Sequence, residues 1–283
     1  MNKKGLKRNT IDKFYTKPEI VNNFNNLIKS KLKIDKKNDL IIEPSAGEGA
    51  FINIIKELCK NYLFYDIKPE NDESDENNKI VTQDYLTLEY KKLCLNKYNK
   101  IHIIGNPPFG RQSSLAFKFI KISSNFCNSI SFILPKSFKK DSFKNKIPLY
   151  FHLIHEEDIT ENNAFLLNGE EYNVPCIYQI WEKKETKRII KEKEKIKKGY
   201  KFVKKEDKPS ISFRRVGVNA GNISKDCNDK SPQSHYFIEI EDDLFNDELF
   251  EKLEKLKFNS SENTVGPKSI SKPELIKEFN SLF

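Results

Sequence analysis

The sequence predicts an α/β fold: a mostly parallel seven-stranded sheet with one antiparallel strand, followed by a small basic C-terminal region. Three observations point to it. Between residues 39 and 182, short apolar runs alternate with longer amphipathic stretches, the pattern of strands joined by crossover helices. The first of these runs, Asp39–Glu43, leads through a glycine-containing turn into an amphipathic stretch, as a βα unit of an open sheet does. The last two runs are separated only by residues 162–173, which have no helical period. A parallel pair needs a crossover, so these two strands must pair antiparallel.

The elements follow in order. Residues 11–30 read as a loop leading into a helix, with Thr16 and Pro18 near its start, where a fixed φ suits the first turn. Strands are expected at Asp39–Glu43, Tyr62–Asp66, Lys79–Thr82, Lys100–Gly105, Ile130–Pro135, Phe151–Glu156 and Val174–Trp181, and helices at Gly49–Lys60, Ser113–Asn125 and Lys136–Asn145. The acidic stretch Glu70–Asn78 reads as an exposed loop. After Trp181 the alternation stops. Lys183–Lys198 has the composition of a charged helix, Ser210–Val218 and Tyr236–Ile240 read as short strands, and Asp247–Leu256 as a helix. Lys204–Pro209 is the most linker-like point. The division expected is an N-terminal segment at 1–30, an α/β domain at 31–182 and a basic region at 183–283.

Composition narrows the class. At 283 residues, 37% hydrophobic and 32% charged, the chain suits a globular protein with one substantial core. No apolar run approaches the ~20 residues that cross a bilayer, and Met1–Thr10 lacks the apolar stretch of a secretory signal. Five scattered cysteines without a CxxC pair or Cys/His cluster argue against a metal site or a disulfide framework. An intracellular location, cytoplasmic or nuclear, is expected. The net charge is +9, and it is concentrated: Lys183–Lys208 holds 13 basic and 5 acidic residues, against 37 and 36 elsewhere. Such a stripe suits a polyphosphate partner, through counterion release. It equally suits a solvated connector.

The segment Ile41–Phe51, I-I-E-P-S-A-G-E-G-A-F, runs from strand to helix through Gly47 and Gly49. A lone GxG is most often an ordinary turn. Here it falls at the carboxyl end of the first strand, where open sheets bind ligands, and Asp66 ends the next strand, where an acid can meet ribose hydroxyls. Together they point to a nucleoside-type cofactor. The loop has neither the GxGxxG that carries a pyrophosphate nor the Lys-Ser/Thr of a phosphate loop. S-adenosylmethionine, an adenosine carrier without phosphates, needs neither.

A second segment, Ile103–Gly110, reads I-I-G-N-P-P-F-G directly after an apolar strand. An exocyclic aromatic amine is a poor nucleophile because its lone pair is delocalised into the ring. Two acceptors, the Asn106 side-chain oxygen and the Pro107 carbonyl, can hold both amine hydrogens and turn that lone pair toward a methyl donor, catalysis by positioning and electrostatics. Phe109 offers a face for an extruded base. The plain alternative, a strand-ending turn, would suit a lone N-P-P, but not one downstream of a cofactor loop.

With these two motifs the chain resembles the N6-adenine-specific DNA methyltransferases, class I S-adenosylmethionine-dependent enzymes of Rossmann-like fold in which the cofactor motif precedes the catalytic one. The resemblance spans residues 12–182. It implies that Phe14, Tyr15 and Thr16 close over the methionine part of the cofactor. Glu43 with the Ala46–Gly47 backbone lines the methionine side, Asp66 binds the ribose, and Asp84 accepts from the cofactor adenine. Asn106, Pro107, Pro108 and Phe109 form the catalytic tetrapeptide, with Asn106 also near the methionine end, and Phe165 sandwiches the flipped base with Phe109. Tyr172 lies close in sequence to Phe165 and competes for that role. Beyond Trp181 the resemblance fades; Arg214 and Arg215 in F-R-R-V-G-V are candidates for phosphate or guanine contact, and equally for ordinary hairpin surface.

DNA adenine methylation is therefore the leading expectation. RNA adenine methylation is the second, because N-P-P-F-G also occurs in enzymes acting on ribosomal RNA. A protein glutamine N-methyltransferase and a non-catalytic nucleic-acid-binding subunit are the remaining readings. No membrane partner is expected.

Overall fold

The computed structural model describes residues 14–70, 79–161, 163–167, 169–190, 197–264 and 266–283. The loop expected at Glu70–Asn78 and the basic Met1–Thr10 lie almost wholly outside them. The chain divides into two compact units, Met1–Ile190 and Lys191–Phe283.

In the first unit, β1 (Tyr15–Thr16) precedes α1 (Pro18–Lys31), β2 (Leu40–Glu43), α2 (Ile52–Leu58), β3 (Tyr62–Asp66) and β4 (Val81–Thr82). Then follow β5 (Ile101–Gly105), α3 (Ser114–Ser123), β6 (Ser129–Pro135), α4 (Asp141–Lys144), β7 (Phe151–Asp158), β8 (Phe165–Leu167), β9 (Glu170–Tyr172) and β10 (Cys176–Lys183). Seven strands form one sheet in the order β4-β3-β2-β5-β6-β10-β7. β4, β3, β2, β5 and β6 pair in parallel, and β10 runs antiparallel to both β6 and β7. This is the class I methyltransferase fold, with its single reversed strand. The described residues between β7 and β10 include no helix, so β10 returns antiparallel, as the missing helical period requires.

The central strands are buried on both faces. β2, β5 and β6 are buried along their whole length, which is why they read as continuous apolar runs. Their side chains alternate between two cores. Ile41, Ile104 and Ile133 point to the side covered by α1 and α2, while Ile42, Ile103 and Phe132 point to the side of α3. α1 starts with Pro18 and has Glu19 in its first turn and Lys29 and Lys31 in its last, matching the helix dipole. It buries Ile20, Val21, Phe24 and Ile28, a single stripe at helical spacing. Phe24 stacks on Tyr178 at 4.9 Å.

Three expectations need correction. Lys136–Asn145 is not one helix but a 3₁₀ turn at Lys136–Lys139 followed by the single turn of α4, with Lys140 extended between them. Phe138 and Phe143 both pack on Phe117, at 4.7 and 5.4 Å. Five residues apart, they would point about 140° from each other on a continuous helix, so the break lets both rings reach one partner. Lys183–Lys198 is not a helix where it is described: Lys183 ends β10 and residues 184–190 are irregular, residues 191–196 lying outside the described set. Here Arg188 donates to the carbonyls of Phe151, Lys144 and Ile147 at 3.1, 2.6 and 2.7 Å and covers Trp181. These tertiary bonds override helix propensity. Lys204–Pro209 is not a boundary either; it joins two strands of the second unit.

That unit holds β11 (Tyr200–Val203), β12 (Ile211–Arg214), β13 (Ile223–Ser224) and β14 (His235–Ile240), then α5 (Asp247–Glu254) and α6 (Lys272–Phe279). The strands form an antiparallel sheet in the order β11-β14-β12-β13. Phe213, Ile238, Ile240, Leu253, Leu275 and Phe279 belong to its core. α6 begins with a capping box between Ser271 and Glu274, which satisfies two otherwise orphaned N–H groups.

At the amino end of the first unit's sheet, His102 of β5 is buried between Ser129, 2.7 Å from its Nδ1, and Asp39, 3.2 Å from its Nε2. Burial lowers the His102 pKa, with Asp39 partly opposing it. A base whose folded pKa is depressed binds fewer protons than the unfolded chain, so its contribution is complete above about pH 6.5 and lost as pH falls below it. Urea unfolding at pH 7.5 and 5.5 is expected to show lower stability at pH 5.5, and His102→Gln to lessen that difference. An equal pH dependence in both proteins would remove His102 as its source.

Candidate functional site

The sheet order reverses between β2 and β5: β3 and β4 lie to one side, β6 to the other. Open sheets bind ligands in the crevice at the carboxyl ends of the strands flanking such a point. β2 ends there in Glu43 and β5 in Gly105, directly before Asn106.

Glu43 is 1% exposed, and its Oε2 has no hydrogen-bond partner among the described residues. Burial, and then the charge of Asp66, push its pKa well up. A Cβ on Gly105 would stand 3.3 Å from the Glu43 side chain, so glycine leaves room for the Glu43 side chain against the end of β5.

The glycine turn lies beside this carboxyl. Gly47 has φ +55°, and a Cβ on it would come within 3.4 Å of the Tyr15 ring. Asp66, ending β3, accepts the Gly47 N–H at 2.8 Å and the Lys68 N–H at 2.8 Å, which ties the turn to the next strand. Ala46 donates to the Tyr65 carbonyl at 2.9 Å. The Tyr15 hydroxyl donates to Glu70 at 2.5 Å. Burial, Glu70, Glu48 and Asp66 all push the Tyr15 pKa up. Asp84 accepts from the Leu86 N–H at 2.9 Å and caps a 3₁₀ turn.

The mouth is therefore acidic, with Glu43, Glu48, Asp66 and Glu70 around one glycine turn. Such a site disfavours a pyrophosphate and favours a cation. The residues present fit S-adenosylmethionine, which carries an ammonium and a sulfonium: Glu43 retains an unpartnered oxygen, and the Ala46–Gly47 turn approaches without side-chain bulk.

The Asn106 turn is held by the N-terminal segment. The Asn106 amide nitrogen donates to the Phe14 carbonyl at 3.2 Å and to Thr16 Oγ1 at 3.0 Å. A carbonyl only accepts, so the nitrogen must face Phe14, and Oδ1 is left buried without a partner among the described residues. Ser45 donates to the Asn106 carbonyl at 3.2 Å, linking the two motifs. Pro107 and Pro108 have no N–H, so this stretch presents carbonyls only. Gly110 has φ +69°, where a Cβ would meet Leu115 at 2.7 Å. Gln112 and Ser113 follow with φ of +52° and +60°, strained conformations that concentrate at functional turns.

Why the N-terminal segment sits here is clear from pairing. β1, β8 and β9 form a three-stranded sheet in the order β1-β8-β9, with Thr16 opposite Phe165. The ring of Phe14 stacks on Phe109 at 6.1 Å and on Tyr172 at 5.5 Å, and meets Phe165 edge-on at 6.5 Å. Phe109 is 7% exposed and Phe165 fully buried, whereas Tyr172 is half-buried. Phe14, Tyr15, Thr16, Glu43, Ala46, Gly47, Asp66, Asn106, Pro107, Pro108, Phe109 and Phe165 thus belong to one neighbourhood, with Asp84 on the turn that follows β4.

Arg214 and Arg215 lie in the second unit, bonded to their own surroundings: Arg214 donates to the Val216 carbonyl at 2.9 Å and Arg215 to that of Gln233 at 2.8 Å. Sequence reasoning missed Glu48 and Glu70, whose relevance comes only from their approach to Tyr15. It also missed the β8–β9 hairpin, signalled only by F-L-L before Gly169.

The sequence model of the ribosomal RNA adenine dimethylase family matches residues 8–146, just under half of the chain and including both motifs. No curated protein matches. Among solved structures, a Pyrococcus horikoshii protein assigned as an RNA methyltransferase, PH1948, is 16% identical, with 64% of this chain and 92% of that one aligned at a TM-score of 0.45. The 23S rRNA methyltransferase ErmE is 13% identical, with 62% and 71% aligned at 0.44. SMU.1697c from Streptococcus mutans, assigned as a methyltransferase and solved in complex with SAH, is 17% identical, with 59% and 97% aligned at 0.34. Among the described residues, no helix is long and apolar enough to cross a membrane.

The elevated Glu43 pKa sets a test of cofactor binding. A cation beside Glu43 stabilises its carboxylate, so binding releases a proton and affinity rises with pH up to the pKa of the free protein. Calorimetry of S-adenosylmethionine binding in buffers of different ionisation enthalpy is expected to show proton release, absent in Glu43→Gln. Equal release in both would exclude Glu43 as the proton source.

Proposed function

We propose that the chain is an S-adenosylmethionine-dependent methyltransferase acting on the N6 amino group of adenine in RNA. The observation that carries this reading is the orphaned, buried Oδ1 of Asn106. Leaving such an acceptor unpaired costs about 1–3 kcal/mol, a cost removed when a ligand donor arrives. Both amide hydrogens are already committed to Phe14 and Thr16, so this side chain can only accept from a substrate. An exocyclic adenine amine presents two hydrogens, one for Oδ1 and one for the adjacent Pro107 carbonyl.

The bound cofactor supplies a methyl group on a sulfonium, an electrophile that needs no metal. Glu43 and the Ala46–Gly47 backbone hold its methionine side, Asp66 its ribose and Asp84 its adenine, while Tyr15 and Thr16 close over it. Asn106 and Pro107 hold and orient the amine. Phe109 receives the base on the face now covered by Phe14, so base entry displaces that ring. Tyr172, stacked on the far side of Phe14, is better placed than the core residue Phe165 to face the base.

RNA is preferred to the DNA expected from sequence because the matched family is described by ribosomal RNA adenine dimethylation. Nothing in the described site discriminates against deoxyribose, so DNA remains a substrate to be assayed. The second unit is assigned to substrate recognition.

Incubation with methyl donor and either ribosomal RNA or DNA, then nucleoside digestion and mass spectrometry, is expected to yield N6-methylated adenosine from RNA. Asn106→Ala is expected to lose ~10²–10³ in rate, the usual effect of removing one preorganised polar contact. Phe109→Tyr should retain activity, since either ring stacks. Methylated cytosine or glutamine as the product, or an Asn106→Ala enzyme of full activity, would overturn the reading; product from DNA alone would move it to the DNA enzymes.

A further inference from the structure

The second unit lies outside the family match and carries a surface feature that the methyl-transfer site does not use. On its sheet, Phe202 of β11 stands opposite Ile238 of β14, and Tyr236 of β14 stands opposite Phe213 of β12. These residues share one face. α6 crosses that face. Phe279 near its end packs on Tyr200 and Phe213 at 5.6 and 5.9 Å, while Lys272 at its start lies over Phe202 and Tyr236 at 4.5 and 5.6 Å. Near the start of α6, where only Lys272 of that helix lies over them, both rings are half-buried rather than sealed in the core.

Three cations surround them. Besides Lys272, Lys197 lies over Phe202 at 5.5 Å and the Arg215 guanidinium over Tyr236 at 5.6 Å. Lys197 and Lys272 are exposed, and none of the three cations is paired with a carboxylate among the described residues. Glu274, the acid whose charge reaches Tyr236, accepts from the Ser271 N–H at 2.6 Å in the cap of α6. The Tyr236 hydroxyl donates to the Ile270 carbonyl at 3.3 Å, which fixes its ring.

We infer that Phe202 and Tyr236, with Lys197, Lys272 and Arg215 around them, form a stacking site for single-stranded RNA. Aromatic faces flanked by cations are what sequence-tolerant recognition of unpaired bases requires: rings take the bases and ammonium groups take the phosphates. The two rings are 5.7 Å apart and inclined at 72°. They cannot both face the parallel bases of a duplex, but they can each take one base of a strand whose neighbours are unstacked. The lysine ammonium groups, held over the rings only by cation–π attraction, shift to phosphate as the bases enter. The choice of RNA rests on the proposed function; the choice of a single strand rests on the ring geometry.

The test uses the full chain, a labelled 12-nucleotide single-stranded RNA with a fluorescent adenine analogue, and the same sequence as a duplex. Variants are Phe202→Leu, which keeps apolar volume but removes the stacking face, and the charge reversal K197E/K272E. Phe202→Leu is expected to weaken single-strand binding about fivefold or more and to relieve the quenching of the analogue. The charge reversal should reduce the slope of log affinity against log salt by ~1.4, about 0.7 for each phosphate contact. Wild type should bind the duplex more weakly. Thermal melting checks the fold, and if Phe202→Leu melts markedly lower, the lysine pair alone decides. Unchanged affinity and salt slope in the variants, equal affinity for the duplex, or no RNA binding by wild type would overturn the inference. Wild type that binds through this patch yet transfers no methyl group refutes the proposed function and leaves the patch standing. An active enzyme whose patch variants bind normally refutes the patch alone.

Discussion

The Asn106 amide has two hydrogens, and both are held by a segment ninety residues earlier, the Phe14 carbonyl taking one and Thr16 Oγ1 the other. Everything distinctive about the candidate site depends on that arrangement. It leaves Oδ1 as a buried acceptor with nothing to accept from. It also draws the Phe14 ring against Phe109 and Tyr172. The segment is kept there by the short sheet it forms with β8 and β9, and by Lys17, whose N–H donates to the Ala164 carbonyl at 3.2 Å and whose ammonium pairs with Glu171. Local pairing thus determines the orientation of the Asn106 side chain across the domain.

The other half of the site is electrostatic. The neighbouring parallel strands β2 and β3 end in Glu43 and Asp66, while the turn after β2 brings Glu48, and the segment after β3 brings Glu70, to Tyr15. Two like charges close together raise each other's cost, more so where water is excluded. Burial and the charge of Asp66 accordingly push the Glu43 pKa well up. A cationic ligand removes that cost; a phosphate would add to it. The same crevice geometry that serves dinucleotides in other open sheets is here matched to a ligand of opposite charge.

The central strands β2, β5 and β6 were legible because they are buried on both sides and therefore appear as unbroken apolar runs. The other four strands of the sheet also lie where strands are expected, and the reversal of β10 follows from the missing helical period before it. The glycine turn and the Asn106 turn were legible as motifs, since each is made of residues adjacent in sequence. What was not legible comes from contacts distant in sequence. Phe138 and Phe143 break a helix to share Phe117, and Arg188 gives up a helical conformation for three carbonyls on neighbouring segments. β8 and β9, three residues each, are too short to show a period. The stacking of Phe14 between Phe109 and Tyr172 joins three segments that no local pattern connects. Charge misled in one respect: the lysine-rich stretch after Trp181 reads as one basic helix, yet it divides among the end of a strand, a packed arginine and the surface of a second unit.

The most direct measurement of the central claim is the single-turnover rate of methyl transfer in Thr16→Val, a near-isosteric change that removes one of the two acceptors holding the Asn106 nitrogen. If this hydrogen bond orients Oδ1, the rate should fall about 2- to 13-fold, the worth of one neutral hydrogen bond, with the Asn106→Ala enzyme little further affected by the same change. A Thr16→Val enzyme with wild-type rate, or one whose loss adds in full to that of Asn106→Ala, would show that the N-terminal segment does not act through Asn106.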